Sequence, residues 1–156
     1  MPVPDFILAL RRKIGHDRLW LPGVTAVIRR GDELLLVQRS DTLEWAPVTG
    51  IVDPGEEPAV CAAREAMEEA GVEISVDRLA MTSSGSEITY PNGDRASYLD
   101  LTFACTWLAG EPYVADDESV DVRWWPLDGL PDVSPTLLAR IDAALSAEVA
   151  ARFSVG

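Results

Sequence analysis

The sequence predicts an α/β fold in which a mixed β-sheet is sandwiched by helices. Two runs rich in branched apolar residues, Val24 to Ile28 and Glu33 to Arg39, flank the turn Arg30-Gly31-Asp32 and read as a β-hairpin. A segment from about Pro58 to Ala70 carries proline in its first turn and Gly71 just past its end, the asymmetry expected of a helix. Further strand-like runs follow, and the chain closes on a second amphipathic segment, so strands lie before, between and after the helices.

Taken in order, Phe6, Ile7, Leu10 and Ile14 recur at helical spacing and predict an amino-terminal helix over 1–15, stopped near Gly15. After the hairpin, Trp45 to Val52 is extended but broken by Pro47 and Gly50, and Asp53-Pro54-Gly55 turns the chain toward the central helix. Beyond that helix, strands are expected at Ile74 to Ser83, Gly85 to Tyr90, Ala96 to Trp107 and Asp121 to Trp125, with Pro91-Asn92-Gly93-Asp94 as a hairpin turn. Trp124 and Trp125 adjoin Pro126 in a structural stretch and are expected to alternate, one facing in and one facing out. Ala109 to Ser119, rich in glycine, proline and acids, reads as a loop able to reach over a site. Ser134 as cap, Pro135 in the first turn, and Leu137, Leu138, Ile141 and Leu145 on one face predict a final helix over 134–153.

A chain of 156 residues fits one domain, 1–156, with a core of its own. Its formal net charge of −13, from 26 acidic and 13 basic residues, repels nucleic acid polymers and anionic membranes. A small phosphorylated substrate is compatible with such a surface when cations screen it, which points to a metal. Cys61 and Cys105 lack zinc-site spacing and read as buried thiols of a reducing compartment. Met1 to Lys13 does not resemble a signal peptide, and no stretch reaches the ~20 apolar residues of a membrane span. Cytoplasmic residence is therefore expected, with neither membrane nor nucleic acid polymer as partner.

On the central helix Glu65, Glu68 and Glu69 stand three and four apart, so their carboxylates share one face. Like charges so placed repel, and a divalent cation with a preference for hard oxygen ligands, Mg²⁺ or Mn²⁺, would reverse that cost. Three glutamates alone are more often a solvated acidic face. The whole stretch from Gly50 to Val72, GIVDPGEEPAVCAAREAMEEAGV, outweighs that bland alternative. It resembles the Nudix box, G-x5-E-x7-R-E-U-x-E-E-x-G-U, at all its fixed positions: Gly50, Glu56, Arg64, Glu65, Glu68, Glu69 and Gly71. Ala66 is smaller than the usual residue of the first apolar slot and predicts tight packing beneath the helix.

The resemblance implies the α/β/α sandwich of that family and hydrolysis of a pyrophosphate bond. It also implies metal binding by Glu65, Glu68 and Glu69 with the Gly50 carbonyl, and a Glu56–Arg64 pair orienting the loop against the helix. Two placements compete for the general base, Glu65 in the box and Glu118 in the loop Asp116-Asp117-Glu118. Arg39 is the candidate phosphate contact, a planar fork suited to that duty, and Trp45 and Tyr98 are candidates to stack a base, with core packing as their alternative. His16, without partner residues, reads as a surface side chain. The expected substrate is a nucleoside diphosphate linked to another moiety, ADP-ribose or a nucleotide sugar, favoured slightly over a nucleoside triphosphate because Thr49-Gly50 stands where many triphosphate-cleaving relatives have two glycines. A non-catalytic sensor of ADP-ribose-like ligands is the alternative of a different class. Isomerisation of an isoprenoid diphosphate would need a cysteine better placed than Cys61. A homodimer is expected from relatives and from the spare apolar face of the first helix.

Overall fold

A computed structural model of the chain describes residues 3–156. Among the described residues eight strands form one mixed sheet: β1 (Leu19–Arg30), β2 (Glu33–Arg39), β3 (Trp45–Ala46), β4 (Val48–Ile51), β5 (Glu73–Ser84), β6 (Ile88–Thr89), β7 (Arg95–Ala109) and β8 (Ser119–Pro126). Three helices complete it, α1 (Asp5–Ile14), α2 (Pro58–Ala70) and α3 (Pro135–Leu145). β1 runs parallel to β7, and every other ladder is antiparallel. The predicted mixed sheet between helices is the observed architecture.

The alternation of β1 sorts the layers. Val24, Ala26 and Ile28 point to one face, where they pack with Cys61, Ala62, Ala66 and Ala70 of α2. Val27 points to the other, where Leu34 and Leu36 meet Ile141, Ala143 and Ala144 of α3. Ala66 is fully buried, so the small residue in the box does allow close helix-on-sheet packing. α1 covers the start of the sheet through Ile7 against Leu19, Leu21 and Ala96. Truncating a fully buried side chain such as Leu35 to Ala would cost about 2–5 kcal/mol. Among the described residues, no helix is long and apolar enough to cross a membrane.

Several boundaries differ from the expected ones. β1 runs through Pro22 and Gly23, because its long parallel ladder to β7 supplies partners on both sides of them. Trp45 to Val52 divides at Pro47 into β3 and β4, proline having no N–H for the ladder. The first two positions of the predicted 1–15 helix lie outside the described residues; within the remainder Ile7 is buried while Leu8, Leu10 and Ile14 are exposed.

The last helix ends at Leu145 rather than Phe153. Arg78 donates to the carbonyls of Ala143, Ala144 and Ser146 and caps it there. The tail then lies along β5: Arg152 N–H donates to the Ala80 carbonyl and Thr82 N–H to that of Arg152, covering an otherwise open sheet edge. Ser134 occupies the cap position of α3 without a side-chain capping bond; its own N–H donates to the Glu44 carboxylate at 3.1 Å. Neither Trp124 nor Trp125 faces out: Trp124 packs on the α2-side cluster and Trp125 on the α3-side cluster, because helices cover both faces of the sheet. His16 is exposed and meets Asp94 in the 91–94 turn at 2.8 Å.

Candidate active site

α2 starts with Pro58 in its first turn and ends at Gly71, whose φ of 67° lies in the left-handed region where glycine is favoured. Its 3.6-residue period places Ala62, Ala66 and Ala70 on the sheet, and it carries Glu65 and Glu69 inward with them. Glu65 is 0% exposed and Glu69 4%, so two of the three glutamates on α2 are not on a solvated face. Glu68 remains exposed.

Gly50 makes this burial feasible. A Cβ at that position would lie 2.2 Å from Glu65 Cγ, so any side chain there would expel the glutamate. Arg64 organises the mouth of the site. Its Nε and Nη2 donate to the two oxygens of Glu56 at 2.8 and 2.9 Å, a bidentate pair tying the 53–57 turn to the helix. Its Nη1 donates to Glu65 Oε1 at 2.9 Å and Glu68 Oε2 at 3.0 Å. The Glu56 carboxyl is held below its usual range, first by those Arg64 hydrogen bonds.

The buried pair behaves oppositely. Burial, only partly offset by Arg64, pushes the Glu65 carboxyl up to about 7. Burial and then repulsion by Glu65, Glu118 and Asp116 push Glu69 up to about 9. Among the described residues Glu65 Oε2 has no hydrogen-bond partner although it is buried, an arrangement that costs about 1–3 kcal/mol unless something else satisfies it. Among the described residues no three His, Cys, Asp or Glu side chains converge on one point as they stand. The donor set nonetheless fits a hard divalent cation: mutually repelling carboxylates, one with an orphaned oxygen, seated against a glycine that leaves room.

The remaining predicted residues fall into three places. Glu118 lies by the end of β2, where its carbonyl accepts from Ser40 N–H at 2.7 Å, next to Arg39, which pairs with Ser119 in the β2–β8 ladder. Arg39 Nε and Nη2 bind Asp41 at 2.9 and 2.7 Å, holding that carboxyl below its usual range. Trp45 packs edge-on to Trp125 and lines a recess of about 600 Å³ with Gln38, Thr42, Glu44 and the residues entering α3. Tyr98 is not brought to Trp45: it sits in the α1 cluster, 2.6 Å from the Tyr90 hydroxyl. A smaller depression of about 440 Å³ at Arg18, Trp20 and Ser97 includes no box carboxylate and lies apart from this chemistry. Tyr113, whose ring lies over Gly71, was not found by reading the sequence; its only signal there is one aromatic in an acid- and glycine-rich loop.

The NUDIX domain model matches residues 19–149. The chain belongs to the NUDIX domain family. A protein named NAD-capped RNA hydrolase NudC from Stutzerimonas stutzeri (strain A1501) is 34% identical over 112 residues, 70% of this chain and 38% of that protein. Its namesake from Pseudomonas syringae pv. syringae (strain B728a) is 33% identical over 124 residues, 74% and 41% of the two chains. This NUDIX chain thus spans well under half the length of those relatives. The crystal structure of the MutT NUDIX hydrolase from Burkholderia pseudomallei superposes with a TM-score of 0.63 at 24% identity, covering 80% of this chain and 98% of that one. An ADP-ribose pyrophosphatase from Streptococcus suis 89-1591 gives 0.63 at 24%, covering 86% and 98%. At these identities the structures establish the NUDIX fold.

Proposed function

We propose that this NUDIX chain is a metal-dependent pyrophosphohydrolase that cleaves the diphosphate of a nucleoside diphosphate linked to another moiety. The observation that carries the reading is the buried, mutually repelling pair Glu65 and Glu69 with an orphaned oxygen. Such a pair is destabilising by itself and becomes favourable once cations enter. Bound divalent cations, held by Glu65, Glu68, Glu69 and the Gly50 carbonyl, would supply charge neutralisation at the diphosphate oxygens and acidify an attacking water.

The protein's own residues do the rest. Arg64 holds Glu56 and the 53–57 turn in register with the helix and orients Glu65 and Glu68. Glu65 in the box, or Glu118 beside Arg39, accepts the proton of the attacking water. Arg39, braced on Asp41 through Nε and Nη2, is the phosphate contact of this reading, and Trp45, at the edge of its recess, offers a face to a nucleobase. A role for Tyr98 in stacking has less support, because its ring is engaged under α1. The exposed Leu8, Leu10 and Ile14 leave apolar surface for the homodimer, which a molecular mass from light scattering would check.

The relatives named for NAD-capped RNA and the neighbour named for ADP-ribose both favour a linked nucleoside diphosphate over a triphosphate. The former also weakens the exclusion of nucleic acid polymers: a net charge of −13 disfavours wrapping a polyanion, yet a single capped end needs only the diphosphate to reach the site. The test is phosphate release, after phosphatase coupling, from ADP-ribose, nucleotide sugars, NAD, an NAD-capped oligonucleotide and nucleoside triphosphates, each with Mg²⁺, Mn²⁺ or EDTA. Turnover of linked diphosphates that EDTA abolishes is the expected result. Turnover of triphosphates alone would replace the substrate class, and tight ADP-ribose binding without cleavage would make the chain a sensor.

A further inference from the structure

Residues 110–118 join β7 to β8, and the structure ties them down at both ends. At the near end Trp107 Nε1 donates to the Gly110 carbonyl at 2.8 Å. Tyr113 N–H then donates to the Ala70 carbonyl at 3.2 Å and Ala115 N–H to that of Glu69 at 3.3 Å. These are carbonyls of the last turn of α2, which the helix itself leaves without partners. At the far end Ser40 N–H holds the Glu118 carbonyl at 2.7 Å, and Glu118 N–H donates to Asp116 Oδ1 at 3.1 Å. The segment is a strap running from the carboxyl end of the box helix to the end of β2, and it carries Asp116 and Glu118 along the same edge as Glu69.

What fixes the near end is Tyr113. Its ring lies flat over Gly71: a Cβ on that glycine would sit 2.2 Å from Tyr113 Cε1 and 2.9 Å from Cζ. The ring is otherwise 60% exposed, so no core explains why an aromatic residue stands in this acidic loop. Gly71 therefore has two duties, the left-handed cap of α2 and a flat seat for the ring. The Ala115 N–H on the Glu69 carbonyl sets the strap against the turn of α2 that carries Glu69, three residues before Glu118.

We propose that Tyr113 is a positioning residue of the active site: by seating its ring on Gly71 it pins residues 110–118 across the end of α2 and holds Glu118 beside Glu69. This rests on the pyrophosphohydrolase reading, and within it assigns the strap as the wall that sets where Glu118 stands. A loop that merely caps a helix would change thermal stability; a positioning strap changes turnover through Glu118.

The experiment compares Tyr113→Ala, Tyr113→Phe, Glu118→Gln and the double variant Tyr113→Ala/Glu118→Gln. It measures kcat and KM on a diphosphate that the unmodified protein turns over, together with exchange of the Tyr113 and Ala115 amides by NMR. Tyr113→Ala should lower kcat about 10- to 100-fold with KM changed less, the scale of a misplacement of about 1 Å. Its two amides should exchange faster, and Tyr113→Phe, which keeps the ring, should restore both properties. In the double variant the losses should not multiply, because Tyr113 acts through Glu118. Gly71→Ala, which dislodges the ring from beneath, is the second variant should Tyr113→Ala fold poorly, and should reproduce its kinetics. Full kcat in Tyr113→Ala with unprotected amides overturns the inference, as do losses that multiply in the double variant. An unmodified protein silent on the whole substrate panel overturns the functional reading first, a result distinguishable before any variant is made.

Discussion

On the α3 face of the sheet Asp100 is as deeply buried as Glu69 on the α2 face, 4% exposed in each case, yet the two surroundings differ in kind. Asp100 accepts from Thr25 Oγ1 at 2.7 Å on one oxygen and from Thr102 Oγ1 at 2.7 Å on the other, and Arg140 of α3 adds an ion pair at 3.2 Å. That carboxylate has both oxygens engaged by the protein itself. Glu65 and Glu69 have Arg64 at one oxygen of the former, each other's charge, and the strap acids close by. The same sheet thus buries one carboxylate that the protein satisfies on both oxygens and, on its other face, the Glu65–Glu69 pair, in which Glu65 Oε2 has no hydrogen-bond partner among the described residues. Burial of charge alone does not mark a site; burial without satisfaction does.

The sharpest way to break this comparison is to neutralise one member of each cluster. Glu69→Gln should lower turnover by about a thousandfold or more, the several kcal/mol expected when a metal ligand is lost. It should also raise the melting temperature in EDTA, since a neutral amide replaces a repelled carboxylate. Lower stability together with intact turnover would mean that the pair is structural after all. Asp100→Ala should do the reverse, because it strands Arg140 in the interior. Loss of about 3 kcal/mol is expected, and at about 2–4 °C per kcal/mol for a chain of this size the melting temperature should drop by about 6–12 °C. Turnover per folded molecule should be kept, and its disappearance well below the melting temperature would move Asp100 into the functional set.

A smaller effect separates the clusters by pH. Glu65 and Glu69 are raised from 4.5 to about 7 and about 9 in the folded protein, so across that window the fold retains protons that the unfolded chain has released. Stability in EDTA should therefore fall as pH rises from about 5 to about 9. The lowered carboxyls, Glu56 and Asp41 among them, contribute stability that is present above the ordinary carboxylate range and lost only as pH falls below it, so they do not oppose the trend. Saturating Mg²⁺ should flatten the slope, the cation taking the place of the protons. Melting curves from pH 5 to 9 with EDTA or Mg²⁺ test this, and identical slopes in the two would deny the pair its ligand.

Much of this site was legible before any coordinates. The spacing of Glu65, Glu68 and Glu69, the proline and glycine at the ends of α2, and the pairing of Arg64 with Glu68 are short-range consequences of a 3.6-residue period. The Glu56–Arg64 clamp spans only a turn and two turns of helix. What stayed hidden depends on partners distant in sequence. Thr25 and Asp100 meet because β1 and β7 are parallel neighbours, and no local pattern announces that register. The early end of α3 follows from Arg78, on β5 and 65 residues from Ala143 in sequence, taking the helix's last carbonyls.

By itself, then, the sequence determined which helix carries the glutamates, how they are spaced, and the family to which that pattern belongs, because these properties reside in consecutive residues and one helical period. Only the tertiary structure decided which glutamates are inside. Glu65 and Glu69 are buried and Glu68 is not because α2 presses its alanine face on β1 and β4, and because Gly50, on a strand, leaves the space that Glu65 fills. Spacing is a local quantity, whereas burial is a property of everything that packs around a residue, and here burial is what separates the proposed site from a solvated acidic stripe.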